Sequence, residues 1–134
     1  MKEQWTKWEP SPDLSGKYDI IEISDNIDNF YVDLIASKNK KIRMVFENSV
    51  YAYRNTEESF RSELIFELGE RYGKEFYGDW TFFKVSNSEY LQWIFKESAG
   101  IAEWGFPLVH YSIMAGNTVL DIINNEDPKI IIIK

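Results

Sequence analysis

The chain has one histidine, His110, and the residues around it decide what hydrolytic chemistry the sequence offers. Gly116-Asn117 separates two apolar runs, Leu108 to Ala115 and Thr118 to Ile123. A two-residue, glycine-containing turn between such runs is a strong hairpin signal. Closing the chain there opposes Ala115 to Thr118, Met114 to Val119, Ser112 to Asp121 and His110 to Ile123, and opposed residues share a face. One face then carries Val109, Tyr111, Ile113, Leu120 and Ile122, a core face; the other carries His110, Ser112 and Asp121 with Met114, Val119 and Ile123. Serine, histidine and aspartate on one patch are the residue types of nucleophile, base and orienting acid. A flat strand provides neither the strained elbow nor the oxyanion donors that acyl transfer uses. The expectation is therefore a half-polar outer face with ordinary cross-strand hydrogen bonds.

A second cluster is acidic. Asp13, Asp19, Glu22, Asp25, Asp28 and Asp33 face only Lys17 in the same stretch. Asp25, Asn26, Asp28 and Asn29 lack the spacing and distal glutamate of a calcium loop, so no metal site is expected. The stretch reads either as a solubilising face or as a patch, with Asp19, Glu22, Asp25, Asp28 and Asp33 as its members, that steers a basic partner. Lys38, Lys40, Lys41 and Arg43 form a compensating cluster at a hairpin tip. No spacing among the 22 acids singles out a glycosidase pair.

Two aromatics break their helical patterns. At about 100° per residue, the apolar stripe that starts at Phe60 leaves Phe66 near 240°, and the stripe that starts at Tyr90 leaves Trp93 near 300°. Each is either covered by a loop or by the N-terminal segment, or kept as an anchor for a partner.

The elements that position these residues follow from periodicity. The first sixteen residues read as peripheral, broken by Pro10, Pro12 and a Ser15-Gly16 turn, with Trp5 and Trp8 on a short helical turn that serves as lid or as partner-binding arm. Lys17 to Ser24, Phe30 to Ser37, Ile42 to Phe46 and Val50 to Arg54 read as strands, with SKNKK as the turn of a hairpin. Asn55, three residues before Glu58, predicts a helix N-cap, followed by the stripe Phe60, Leu64, Ile65, Leu68 and Tyr72 and closed by Gly73. Glu57–Arg61, Glu67–Arg71 and Glu70–Lys74 have the spacing of supporting ion pairs. Trp80 to Val85 is a strand. Ser86 and Glu89 have the spacing of a capping box before a helix with Tyr90, Leu91, Ile94, Phe95 and Ser98 on one stripe and Gly100 as its C-cap. Gly105 to Pro107 reads as a loop, and Ile130 to Ile133 as a last, buried strand. The sum is a single α+β domain over residues 1–134, with a mainly antiparallel sheet and two principal helices on one face. No glycine-rich nucleotide loop is present.

Composition narrows the classes further. The 134 residues carry a formal charge of −7, which argues against direct nucleic-acid or anionic-membrane binding. The absence of cysteine excludes disulfides, thiol catalysis and cysteine-ligated metals. No apolar run approaches a bilayer span, the N-terminus does not read as a secretory signal, and a cytoplasmic protein without a cofactor is expected.

The stretches DWTFFKVSNSEYLQWIFKESAGI (Asp79 to Ile101) and HYSIMAGNTVLDIINNEDPK (His110 to Lys129) resemble small, largely uncharacterised proteins of Bacillus and its relatives, some of which look like immunity partners of polymorphic toxins. The shared features are a strand, a capped helix and a hairpin, so the resemblance brings no catalytic residue. It implies a binding role, with a protein partner such as a basic toxin domain. The leading expectation is a non-enzymatic interaction protein that uses the acids from Asp19 to Asp33 for steering and Phe66 and Trp93 as anchors. A small-molecule-binding domain with an aromatic-lined pocket is the second reading. A hydrolase using His110, Ser112 and Asp121 is the third. A homodimer is compatible with all three.

Overall fold

The computed structural model describes residues 2–14, 16–103 and 107–133. Its strands are β1 (Gln4–Lys7), β2 (Asp19–Asp25), β3 (Asn29–Ala36), β4 (Lys40–Glu47), β5 (Ala52–Glu57), β6 (Phe82–Ser86), β7 (Val109–Met114), β8 (Thr118–Asn124) and β9 (Lys129–Ile133). Its α-helices are α1 (Ser62–Tyr72), α2 (Glu75–Gly78) and α3 (Glu89–Glu97). The strands form two antiparallel sheets, ordered β1-β6-β7-β8-β5 and β2-β3-β4-β9. The α+β class and the helices on one face of a sheet stand as the sequence indicated, but the expected single sheet is two.

The two sheets pack through alternating residues. Phe30, Val32, Leu34 and Ala36 of β3 and Ile42, Met44 and Phe46 of β4 are all buried. They meet Phe82, Tyr111, Ile113, Leu120 and Ile122 of the larger sheet in one cluster. The Phe46 and Tyr111 rings meet edge to face at 5.5 Å. Full burial of such a side chain contributes roughly 1.5–3 kcal/mol, which makes this interface the main source of stability.

The opposite face of the larger sheet carries the helices. Trp5, Phe83, Val85, Met114 and Val119 pack with Leu68 of α1, with Leu64, Ile65 and Tyr72 beside it. The Tyr90 ring of α3 meets His110 edge-on at 5.7 Å. The hairpin β7–β8 has the register its turn demands, Met114↔Val119, Ser112↔Asp121 and His110↔Ile123. It is covered on both sides, so the face expected to be half-polar and outward is interior: His110, Ser112 and Asp121 are all buried.

Other expectations are corrected by tertiary pairing. The N-terminal segment is not peripheral, because β1 pairs with β6 and Trp5 is buried in contact with Phe83 at 5.9 Å. Trp8 packs on Tyr111 at 5.1 Å, so both tryptophans cover the core, from a strand and its continuation and not from a helical turn. Asn55 is a strand residue opposite Leu120, since ladder pairing with β8 runs through Glu57. α1 begins only at Ser62, after a 3-10 turn at Glu58–Arg61, and Phe60 is left 81% exposed. Of the expected ion pairs, Glu67–Arg71 forms at 3.8 Å, whereas Arg61 turns inward. Ser86 ends β6, and Asn87 at φ 52 redirects the chain so that Ser88 caps α3, its Oγ accepting from Leu91 N at 2.9 Å. β9 is an edge strand, not a buried one, with Ile131 and Ile132 half exposed. Ser15, Gly105 and Phe106, parts of two expected turns, lie outside the described residues.

Residues 16–18 are clamped to the mouth of β6. Lys17 Nζ donates to the carbonyls of Tyr77 at 2.5 Å, Trp80 at 3.2 Å and Met114 at 2.6 Å. Three ammonium protons meet three acceptors, although burial pulls the lysine below its ordinary pKa against the opposing pull of Glu58, Asp19 and Asp79. Thr81 Oγ1 donates to Gly16 O at 3.0 Å and accepts from Tyr18 N at 2.9 Å. The close approach leaves no room at Gly16, where a Cβ would sit 2.3 Å from Asp79 O. Gly16→Ala is predicted to destabilise by about 1–3 kcal/mol, because the obstacle is backbone and cannot rotate away. Gly78→Ala, where a Cβ meets nothing within 4 Å, is predicted to stay within about 1 kcal/mol of the parent. Urea midpoints compare the two, and equal midpoints would show that the clamp yields.

Candidate functional site

The polar centre of the larger sheet is Asp121 of β8, whose side chain has no exposed surface. His110 of β7 approaches from the neighbouring strand, Nε2 lying 2.7 Å from Asp121 Oδ1. Oδ2 accepts from Arg54 Nε of β5 and from Arg61 Nη1 of the turn before α1, each at 2.8 Å. On the far side of the imidazole, Nδ1 lies 2.7 Å from Ser88 Oγ, the cap of α3. The imidazole thus bridges the carboxylate at Nε2 and the Ser88 hydroxyl at Nδ1, while Ser88 Oγ accepts from Leu91 N. Aromatic rings enclose the line: Trp5 and Tyr90 flank His110, and the Arg54 guanidinium lies over Tyr90 at 4.3 Å.

Burial by itself pushes a carboxyl group's pKa up. At Asp121 it is outweighed by the hydrogen bond and charge of His110 and by the charges of Arg54 and Arg61, which leave the group well below the usual carboxylate range. A buried charge so satisfied is tolerable, but removing one partner strands the rest at a cost of about 3–5 kcal/mol.

Ser88, His110 and Asp121 are therefore in the linear order of a hydrolytic triad. Their surroundings are those of a structural tie. Ser88 and His110 are buried, and the Ser88 hydroxyl oxygen is engaged by the helix it caps. Ser112, the serine that the hairpin register placed beside Asp121, is buried with its Oγ unpartnered. Of the expected His110, Ser112 and Asp121, the structure joins the histidine to the acid and supplies Ser88 in place of Ser112. Sequence reasoning missed Ser88, Arg54 and Arg61. Only Ser88 had a legible signal, as a serine before an apolar helical stripe.

The surface residues divide between two sides of the molecule. Glu22 and Asp33 lie opposite each other on the outer face of the smaller sheet, whereas the Asp19 carboxylate, at the start of β2, reaches the β7–β8 turn, where a Cβ on Gly116 would sit 1.9 Å from its Oδ1. Asp33 is neutralised by Arg43 at 2.7 and 3.0 Å, and the Arg43 guanidinium lies over Tyr31 at 4.0 Å. Glu22 accepts from the Tyr31 hydroxyl at 2.7 Å, and Asp25 from Ser49 at 3.1 Å. Asp28 sits in a turn closed by Asn26, whose Oδ1 accepts from Asp28 N at 2.9 Å. Phe66 and Trp93 belong to the helix layer, across the sandwich from Glu22 and Asp33. Neither is covered: Phe66 is 69% and Trp93 55% exposed. The acids and the aromatic anchors thus do not form one surface.

Phe66 instead borders a cleft of about 630 Å³ with acids of its own. Ile65 and Tyr77 contribute apolar wall, and Glu57, Glu58 and Glu70 line it together with one cation, Lys74.

Comparison of the chain with protein-family models, curated proteins and solved structures finds no match. Among the described residues no group of three or more His, Asp or Glu converges as a metal ion would require, and no helix is long and apolar enough to cross a membrane.

Two sets of variants test the tie. Asp121→Asn is predicted to lose about 3–5 kcal/mol and Ser88→Ala about 1 kcal/mol, whereas Ser112→Ala, which removes an unpartnered hydroxyl, is predicted to be neutral or stabilising. Because the folded carboxyl is depressed, its contribution is complete above the unfolded value of about 3.9 and is lost as pH falls toward the lower folded one. The stability gap between the parent and Asp121→Asn is therefore predicted to hold between about pH 5 and 7 and to narrow below about pH 4. Denaturant titrations across that range measure it, and a gap that narrows toward neutral pH would place the controlling proton elsewhere.

Proposed function

We propose that this chain is a non-enzymatic binding protein whose helix layer receives a basic protein partner. The observation that carries the reading is Phe66, exposed at the rim of a cleft with an apolar wall and three flanking glutamates. A large aromatic ringed by polar groups is a typical hot-spot arrangement. Carboxylates around it favour a partner segment that pairs lysine or arginine with an apolar side chain, and the overall charge of −7 would speed the encounter. Trp93, exposed on α3 in the same layer, is a second anchor.

The resemblance to immunity-like proteins supports the more specific form of the proposal, a cytoplasmic inhibitor of a toxin domain. A toxin that cuts nucleic acid needs a basic substrate face, and an acidic protein with aromatic anchors covers such a face well. Glu22, Asp25 and Asp28, on the smaller sheet and its β2–β3 turn, then act at a distance, through charge and not through contact. A small-molecule site is the alternative that one observation favours, since the cleft lies within the roughly 300–1,000 Å³ common for ligand pockets.

Partner capture with matched variants separates these readings. Phe66→Ala is predicted to weaken the bound partner by about tenfold or more, and combined Glu57→Lys, Glu58→Lys and Glu70→Lys to weaken it and flatten its salt dependence. Glu22→Lys with Asp28→Lys is predicted to slow association and leave dissociation unchanged. A larger loss from the Glu22 and Asp28 reversal than from Phe66→Ala would move the contact to the smaller sheet. A ligand that raises the melting temperature of the parent but not of Phe66→Ala, with no protein partner captured, would favour the pocket.

A further inference from the structure

The two sheets have four edges, and three of them carry a feature that discourages strand addition. β1 is only four residues long and ends in Lys7. β2 begins and ends in aspartate, contains Glu22 and is interrupted by a bulge between Ile20 and Glu22. β5 sets Arg54, Asn55 and Glu57 along its length. β9 has no bulge and only one charged residue, at its first position. It pairs with β4 in unbroken register from Lys129 to Ile133, and no strand among the described residues pairs with its other side. Its one charge, Lys129, is paired with Glu47. Ile131 and Ile132 point to opposite faces of the sheet and are 50% and 52% exposed. An exposed, regular, isoleucine-rich edge is a template for another strand.

We propose that β9 is a homodimerisation edge, at which two copies of this chain pair their last strands antiparallel about a two-fold axis. The run Ile130–Ile133 reads the same in either direction and is therefore its own complement in an antiparallel ladder. Centred on Ile131, the register sets Ile131 opposite itself, Ile130 opposite Ile132 of the second copy, and Lys129 opposite Ile133. The two copies of Lys129 fall at opposite ends of the paired strands. Two four-stranded sheets become one of eight strands, and the half-exposed isoleucines of each copy cover those of the other. The helix layer lies on the other sheet and stays open, so dimerisation is independent of the partner binding proposed above.

The absence of cysteine makes the test clean. Ile131→Cys introduces a single thiol on the two-fold axis. Opposed antiparallel residues have Cα atoms about 4.5–5.5 Å apart, within the range of about 4.4–6.8 Å that a disulfide spans. Ile131→Cys is expected to form a covalent dimer on air oxidation, whereas Asn26→Cys, in an exposed turn at the far edge, is expected to stay monomeric. Light scattering of the parent is expected to move toward twice the monomer mass with concentration. Ile131→Lys, with an unchanged circular dichroism spectrum, is expected to need at least a tenfold higher concentration for the same shift. A parent that is monomeric up to about 1 mM would overturn the proposal. So would a dimer indifferent to Ile131→Lys, or one dissolved by Phe66→Ala, which would place the contact on the helix layer. Partner capture lost in Ile131→Lys while the parent is monomeric would also overturn it, and would assign the edge to a strand of another protein.

Discussion

A carboxylate with no exposed surface must be compensated, and the compensation of Asp121 fixes how the layers of this molecule meet. Its partners come from β5, from β7 and from the turn that starts α1, and the line continues through His110 to the serine that caps α3. Both long helices are thus tied at their N-terminal ends to the middle of the larger sheet by charge-assisted or buried hydrogen bonds. Apolar packing would allow a helix to slide by a fraction of a turn; a bidentate demand at one oxygen pair does not. The aromatic enclosure by Trp5 and Tyr90 keeps water away and strengthens each bond.

The tie bears on the proposed function. Phe66 and Glu70 lie on α1, Glu58 on its entry turn and Glu57 at the end of β5, and Trp93 lies on α3, so the helices that the tie locks carry both proposed aromatic anchors. A surface held rigid before binding loses less conformational freedom on association, which favours slow release. The same geometry that looks like a catalytic triad therefore acts as a scaffold: the serine is an N-cap, the histidine a bridge and the acid an anchor.

Much of this was legible in the sequence where the physics is local. The Gly116-Asn117 turn set the β7–β8 register residue for residue, and the alternation in β3 and β4 named the buried face. Gly73 closes α1 with φ at 90°, as its position after Tyr72 indicates. What was not legible depends on long-range pairing. Asn55 has the chemistry of a cap, but β8 claims it as a strand residue. An isoleucine run suits a central strand, yet β9 is last in line at an edge. The interior position of the His110 face required a second sheet on one side and helices on the other, and Arg54 and Arg61 lie 67 and 60 residues from the acid they neutralise. No periodicity carries that information.

Asp121 locks the helix layer to the sheet. Native-state hydrogen exchange, read at the amides of α1 and α3 in the parent and in Asp121→Asn, tests it most directly. Protection in both helices is predicted to fall together while the β3–β4 hairpin, which relies on the apolar interface, keeps most of its own. Helix amides that exchange as slowly in Asp121→Asn as in the parent would contradict it, and would leave apolar packing alone as the force that holds the layer.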